Sequence, residues 1–200
     1  MNGWHRSVET YLQEIAGEAL VREKVHRACH YRYARLLNWF QVPLIAISAV
    51  NGAVQLLSKN YSEFEDTLIT CTASTSVFVS ILSAISAFLK IGENTSTHAK
   101  CQSEWASLYN KIRCQLMLSP DLRTEGSEFL QQVKADFKQL VEFSPLPSAA
   151  AIARVKKQIK SSKHPDFCVP PTLNGFSSIR VYNQEDSYQS NTDTNELLNV

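Results

Sequence analysis

Residues 36–58 read LLNWFQVPLIAISAVNGAVQLLS and residues 67–89 read TLITCTASTSVFVSILSAISAFL, and neither run holds a charged side chain. Each is 23 residues long, and roughly 20 helical residues cross a hydrocarbon core of about 30 Å. The residues between them, 59–66 (KNYSEFED), are too few for a domain but enough to turn the chain. The pattern predicts a helical hairpin, with 36–58 as first transmembrane helix, 59–66 as a short outer turn and 67–89 as second transmembrane helix. The second run carries nine Ser or Thr residues, a content that also suits a hairpin buried in a soluble bundle. A bundle helix, however, carries charges on its solvent face at about every second turn. Two adjacent charge-free runs of spanning length therefore favour the membrane.

The charges around the hairpin assign its orientation. Arg22, Lys24, Arg27, Arg32 and Arg35 precede the first run, and Lys90 and Lys100 follow the second. The turn offers Lys59 against Glu63, Glu65 and Asp66. Basic residues within about 15 to 20 positions of a span stay on the cytoplasmic side. Both termini are thus expected in the cytoplasm, with the turn and its sequon at Asn60 outside. The first 30 residues are polar and mixed in charge, so the first run itself is expected to act as the targeting signal. The cysteines at 29, 71, 101, 114 and 168 are read as free thiols of a reducing compartment.

Outside the hairpin the fold class is all-α. Residues 1–35 read as an amphipathic, then basic and aromatic, helix with Ser7 as N-cap and Val8, Leu12, Ile15 and Ala19 on one stripe. Arg27, Arg32, Arg35 and Trp39 suit the headgroup layer, as does Lys90 on the return, and Trp39 is expected at the interface. The lipid bilayer and its anionic headgroups are accordingly the first partners. Residues 90–162 read as cytoplasmic helices. The first continues the second span without a stop, the next covers 128–142 with Phe129, Val133, Phe137, Leu140 and Val141 on one face, and the last covers 149–160, capped by Ser148. Residues 163–200 read as a polar tail without a core of its own, ordered by a protein partner.

Within the first run Pro43 either kinks the helix or starts a new one. Ala46, Ser48, Ala49, Gly52 and Ala53 leave a side of it with little bulk, and Asn51 must face protein or water. In the second run Ala73, Ser76, Ser80, Ser83 and Ala87 step by three and four, the spacing of a small-residue packing seam. These positions either glue the two helices together or, with Asn51, line a water path in a homo-oligomer. His26 and His30 stand one helical turn apart beside Cys29, but no further ligand is placed to complete a metal site, so they read as a solvated basic face. Gly-rich phosphate loops, GxSxG, HExxH and paired cysteines are all missing from the sequence, so no enzyme, metal or cofactor is expected. Nucleic acid is not an expected partner.

The basic aromatic entry HYRYARLLNWF, Pro43 at the head of the first run, the short turn, HAKCQSEWASLYNKI with His98, Trp105 and Leu108, and the closing FLQQVKADFKQLVEFSPLPS together resemble the SLATT family. Its members are two-transmembrane domains found beside nucleotide-second-messenger and SLOG sensor domains. The resemblance covers roughly residues 8–160. It implies a membrane effector that assembles into oligomers or pores. Similar two-span proteins in large DNA viruses imply an alternative, a minor virion protein that anchors an inner membrane to a capsid shell.

Overall fold

The computed structural model describes residues 3–58 and 64–161, and every regular element among them is helical. The turn residues 59–63 with Asn60, the tail 163–200 and Cys168 lie outside the described residues. The elements are α1 (Arg6–Ser58), α2 (Glu65–Phe88), α3 (Ile91–Met117), α4 (Gly126–Phe143) and α5 (Ala149–Ser161), with a 3-10 turn at Pro120–Leu122.

The N-terminal amphipathic stretch and the first apolar run are one helix, α1, of 53 residues. At about 1.5 Å per residue it is about 80 Å long. Its continuity follows from a stretch without Gly or Pro between Gly17 and Pro43. Pro43 deprives the Trp39 carbonyl of its intrahelical donor, yet α1 passes through it, because the ring lies on the exposed side while Leu44 and Ile47 pack inward. Every seventh residue from Leu12 (Leu12, Ala19, His26, Tyr33, Phe40, Ile47, Val54) is buried or half-buried. A strict seven-residue repeat keeps one face turned to a partner only if the helices coil around each other. That partner is the returning chain, α2 against the second half of α1 and α3 against the first half. In α3 the same period buries Ile91, His98, Trp105 and Ile112.

The return is not straight. The expected continuation past residue 89 is interrupted at Lys90, which takes the left-handed conformation (φ 48°, ψ 36°) and separates α2 from α3. This costs a non-glycine residue about 1 kcal/mol. The break re-aims the helix so that Ile91 is buried.

Two cores hold the bundle. In the first, Leu12, Ile15, Ala16 and Ala19 meet Cys101, Trp105, Leu108 and Ile112 of α3 and Phe129 and Val133 of α4. Trp105 is fully buried, donates its indole N–H to Ser144 Oγ at 3.0 Å, meets Phe137 edge-on and carries the Arg22 guanidinium over its ring at 5.0 Å. In the second, Val21, Val25 and Cys29 meet Ala151, Val155 and Ile159 of α5. Trp4 donates to the Thr124 carbonyl at 2.7 Å, and Arg123 pairs with Glu9 and stacks over Trp4, tying the N-terminus to the loop before α4.

Local details depart from expectation in two places. Helix α1 starts one residue before Ser7, with the His5 carbonyl accepting from the Val8 and Glu9 amides, so Ser7 lies inside the first turn. Val141, expected on the inward face of α4, is exposed because the α4 stripe ends with Phe137 and Leu140. Ser148, in contrast, caps α5 as expected, accepting from the Ala151 amide at 3.3 Å. Trp105→Ala is expected to cost about 3 to 5 kcal/mol through the cavity it leaves, whereas Val141→Ala stays within about 0.5 kcal/mol. Thermal unfolding followed by circular dichroism measures both.

Candidate functional site

Both α1 and α2 are long and apolar enough to cross a membrane. In the most apolar 18-residue stretch of α1 no residue is buried, and in α2 only Thr72 is. A core helix of a globular protein shows the reverse. Here the two helices meet along one narrow seam, and the rest of their circumference is Val42, Ile45, Val50, Leu56, Val77, Phe78, Ile81 and Phe88, all more than half exposed.

The seam is built from Leu44, Ile47, Asn51 and Val54 on α1 and Leu68, Thr72, Thr75, Val79, Leu82 and Ser86 on α2, the positions that lose exposure in this part of the molecule. Its centre is polar and closed. Asn51 accepts from Thr75 Oγ1 at 2.8 Å and donates through Nδ2 toward the Thr72 carbonyl at 3.4 Å and Ser76 Oγ at 3.3 Å. An amide in an apolar setting needs such partners, and α2 supplies them.

The small-residue stripe lies elsewhere. Ala73, Ser76, Ser80, Ser83 and Ala87 all face outward, one position round the helix from the seam. On α1, Ala49 and Gly52 also face outward, and a Cβ added at Gly52 meets nothing within 4 Å. Two of the stripe's hydroxyls are satisfied locally, since Ser76 donates to the Thr72 carbonyl at 2.7 Å and Ser80 to the Ser76 carbonyl at 2.8 Å. Of the sequence-derived set, therefore, only Asn51 and Ser76 come together. The positions that do pack were missed because the spacing of the small residues points to the neighbouring face of α2. The seven-residue repeat carried by α1 was the signal that finds them.

The basic and aromatic set gathers where the charged half of α1 ends. Trp39 is 76% exposed at the head of the apolar run, and Arg32 and Arg35 are exposed on the turns before it. Arg27 pairs instead with the buried carboxylate of Glu23 at 2.7 Å, and Lys90 with Glu93 at 3.4 Å.

Beneath the apolar pair the structure overturns one reading. His26 is not on a solvated face but 3% exposed, with its Nδ1 2.9 Å from Nδ1 of the equally buried His98. A single proton serves that contact, one ring donating and the other accepting, so the pair is held short of double protonation. Tyr33 stacks on His98 with ring centroids 5.5 Å apart, and His30 Nδ1 donates to the Thr95 carbonyl at 3.1 Å. Burial first, then the charges of His98 and Arg22, push His26 down to about 4. His98 is also held below the ordinary value, by burial and then by His30. Among the described residues no group of three or more His, Cys, Asp or Glu is placed to hold a metal ion. The chain matches no family model, no curated protein and no solved structure.

The His26 shift fixes a sign. The folded state keeps His26 neutral while the unfolded chain binds a proton near the ordinary value, so its contribution is complete above about pH 6.5 and is lost as pH falls toward 4. The loss is on the order of 3 kcal/mol. The melting temperature of the purified protein is expected to fall between pH 7 and pH 5 more steeply than that of His26→Gln. Parallel curves would remove His26 from the pH response.

Proposed function

We propose that this chain is a non-enzymatic, two-span integral membrane protein that self-associates in the bilayer, an effector of the kind the SLATT resemblance implies. The observation that carries it is the outward apolar circumference of α1 and α2 over a full spanning length, with the first apolar run rigidly continuous with the bundle. In water such a surface is far larger than a monomer exposes; in lipid it is the solvated face. The arginines before α1's apolar run and Lys90 after α2 support a cytoplasmic bundle under the positive-inside rule. The outward stripe of Ala73, Ser76, Ser80, Ser83 and Ala87 is a surface on which a second copy approaches closely, and in a ring of subunits its hydroxyls line either the contacts or a lumen.

A second reading, a structural membrane anchor, is favoured by Asn51. Its amide is satisfied within the helix pair, so it does not need a water-filled lumen. The two readings separate in sealed vesicles. An effector pore releases an entrapped small dye at low protein-to-lipid ratio, and an anchor leaves the vesicles tight. Cysteines placed at Ser62 and Ser127 should react with an impermeant reagent from opposite sides, and equal reaction from one side ends the hairpin. Ser80→Leu is expected to abolish crosslinked oligomers while helix content holds, because position 80 faces outward in the single chain. Thr75→Leu, which removes the donor to Asn51, should lower stability by roughly 1 to 3 kcal/mol. Matching behaviour of the two variants would argue against self-association through the stripe.

A further inference from the structure

A cleft of about 470 Å³ opens between α1 and the start of α5, at the level where the charged half of α1 gives way to its apolar half. Its polar lining residues are Tyr31, Arg32 and Arg35 from α1 and Arg154 from α5, and no acidic residue lines it. Among the described residues Arg35 and Arg154 have no ion-pair or hydrogen-bond partner, and Arg32 reaches only Ser148 Oγ at 3.5 Å. Three cations held on two packed helices repel one another, and among the described residues no carboxylate pairs with them. The first turn of α5 adds to the positive field. Its bonds back to the Ser148 carbonyl begin at Ala151 and Ile152, and it carries no acidic residue to occupy the open amides before them. The other wall is apolar and continuous with the exposed side of α1, through Leu36 and Trp39.

We infer that this cleft is a binding site for one anionic phospholipid per chain, its phosphate among Arg32, Arg35 and Arg154 and its acyl chains along Leu36 and Trp39. Guanidinium forks match phosphate oxygens in pairs, and basic pockets between helices on the cytoplasmic side are where such headgroups settle. A free phosphate satisfies the arginines but leaves the apolar wall uncovered, and that wall selects the lipid. The inference rests on the membrane reading above and adds to it α5, which lies outside both spans. Lipid held there would lock α5 onto α1 at the membrane surface.

The test uses the full chain purified in a neutral detergent, with retained lipid counted by native mass spectrometry after addition of phosphatidic acid, phosphatidylcholine of the same acyl chains, or inorganic phosphate. One phosphatidic acid per chain is expected, with phosphatidylcholine not retained and millimolar phosphate displacing little. Arg154→Gln should weaken retention about tenfold, the scale of one charge-assisted contact, Arg154→Lys should restore part of it, and Lys157→Gln on the same helix should change nothing. Equal retention of both lipids, or an Arg154→Gln protein that binds like Lys157→Gln, overturns the site. Full displacement by phosphate reassigns it to a soluble anion and overturns the lipid. Carbonate extraction of the same variants reads the membrane question separately. Arg154→Gln staying in the membrane pellet while losing its lipid isolates the cleft, and release of the unaltered protein into the supernatant overturns the spanning reading itself.

Discussion

One face of one helix organises the molecule. From Leu12 to Val54 the seven-residue repeat of α1 meets first α3 and then α2, and α5 packs beside it against Val21, Val25 and Cys29. The chemistry of that face changes along its length while the geometry does not. It is aliphatic and aromatic around Trp105, histidine-rich around His98, and aliphatic again with Asn51 at its centre. The same ridge runs through all three zones, and no loop interrupts α1 between its bundle end and its apolar end.

The returning chain, unlike α1, is interrupted. Lys90 breaks it in a conformation that L-residues seldom adopt, and the histidine pair lies two turns beyond that break. The paired rings, the Tyr33 stack and the His30 contact to Thr95 join α1 to α3 through polar groups rather than through bulk packing. Such a layer discriminates between registers more sharply than aliphatic contact does, since a slip leaves buried nitrogens without partners. It is also the layer in which burial holds two histidines below their ordinary pKa, which sets it apart from the aliphatic layers above and below.

Much of this architecture is legible in the sequence, for identifiable reasons. Charge-free runs of 23 residues, the stripes of Leu12, Ile15 and Ala19 and of Phe129 and Val133, and the serine cap of α5 follow from periodicity and local hydrogen bonding. What escaped is of another kind. The small-residue stripe of α2 has the right spacing for a seam but lies one position away from the real one, because Thr72 and Thr75 pack where Asn51 needs their oxygens. A three-four spacing fits several adjacent faces of a helix equally well, and only a partner's side chains select among them.

The sequence by itself determined that the chain is helical, that two of its segments have the length and apolarity to span a bilayer, and that Arg22, Arg27, Arg32 and Arg35 precede the first of them. These are properties of single segments, set by backbone propensity and side-chain hydration. Only the tertiary structure decided that α1 is unbroken through Pro43, that the return is broken at Lys90, that His26 is buried against His98, and that Arg154 joins Arg32 and Arg35 across a cleft. The last two pair groups from helices that are distant in the chain, and their energies depend on distances between elements that no local pattern of residues encodes.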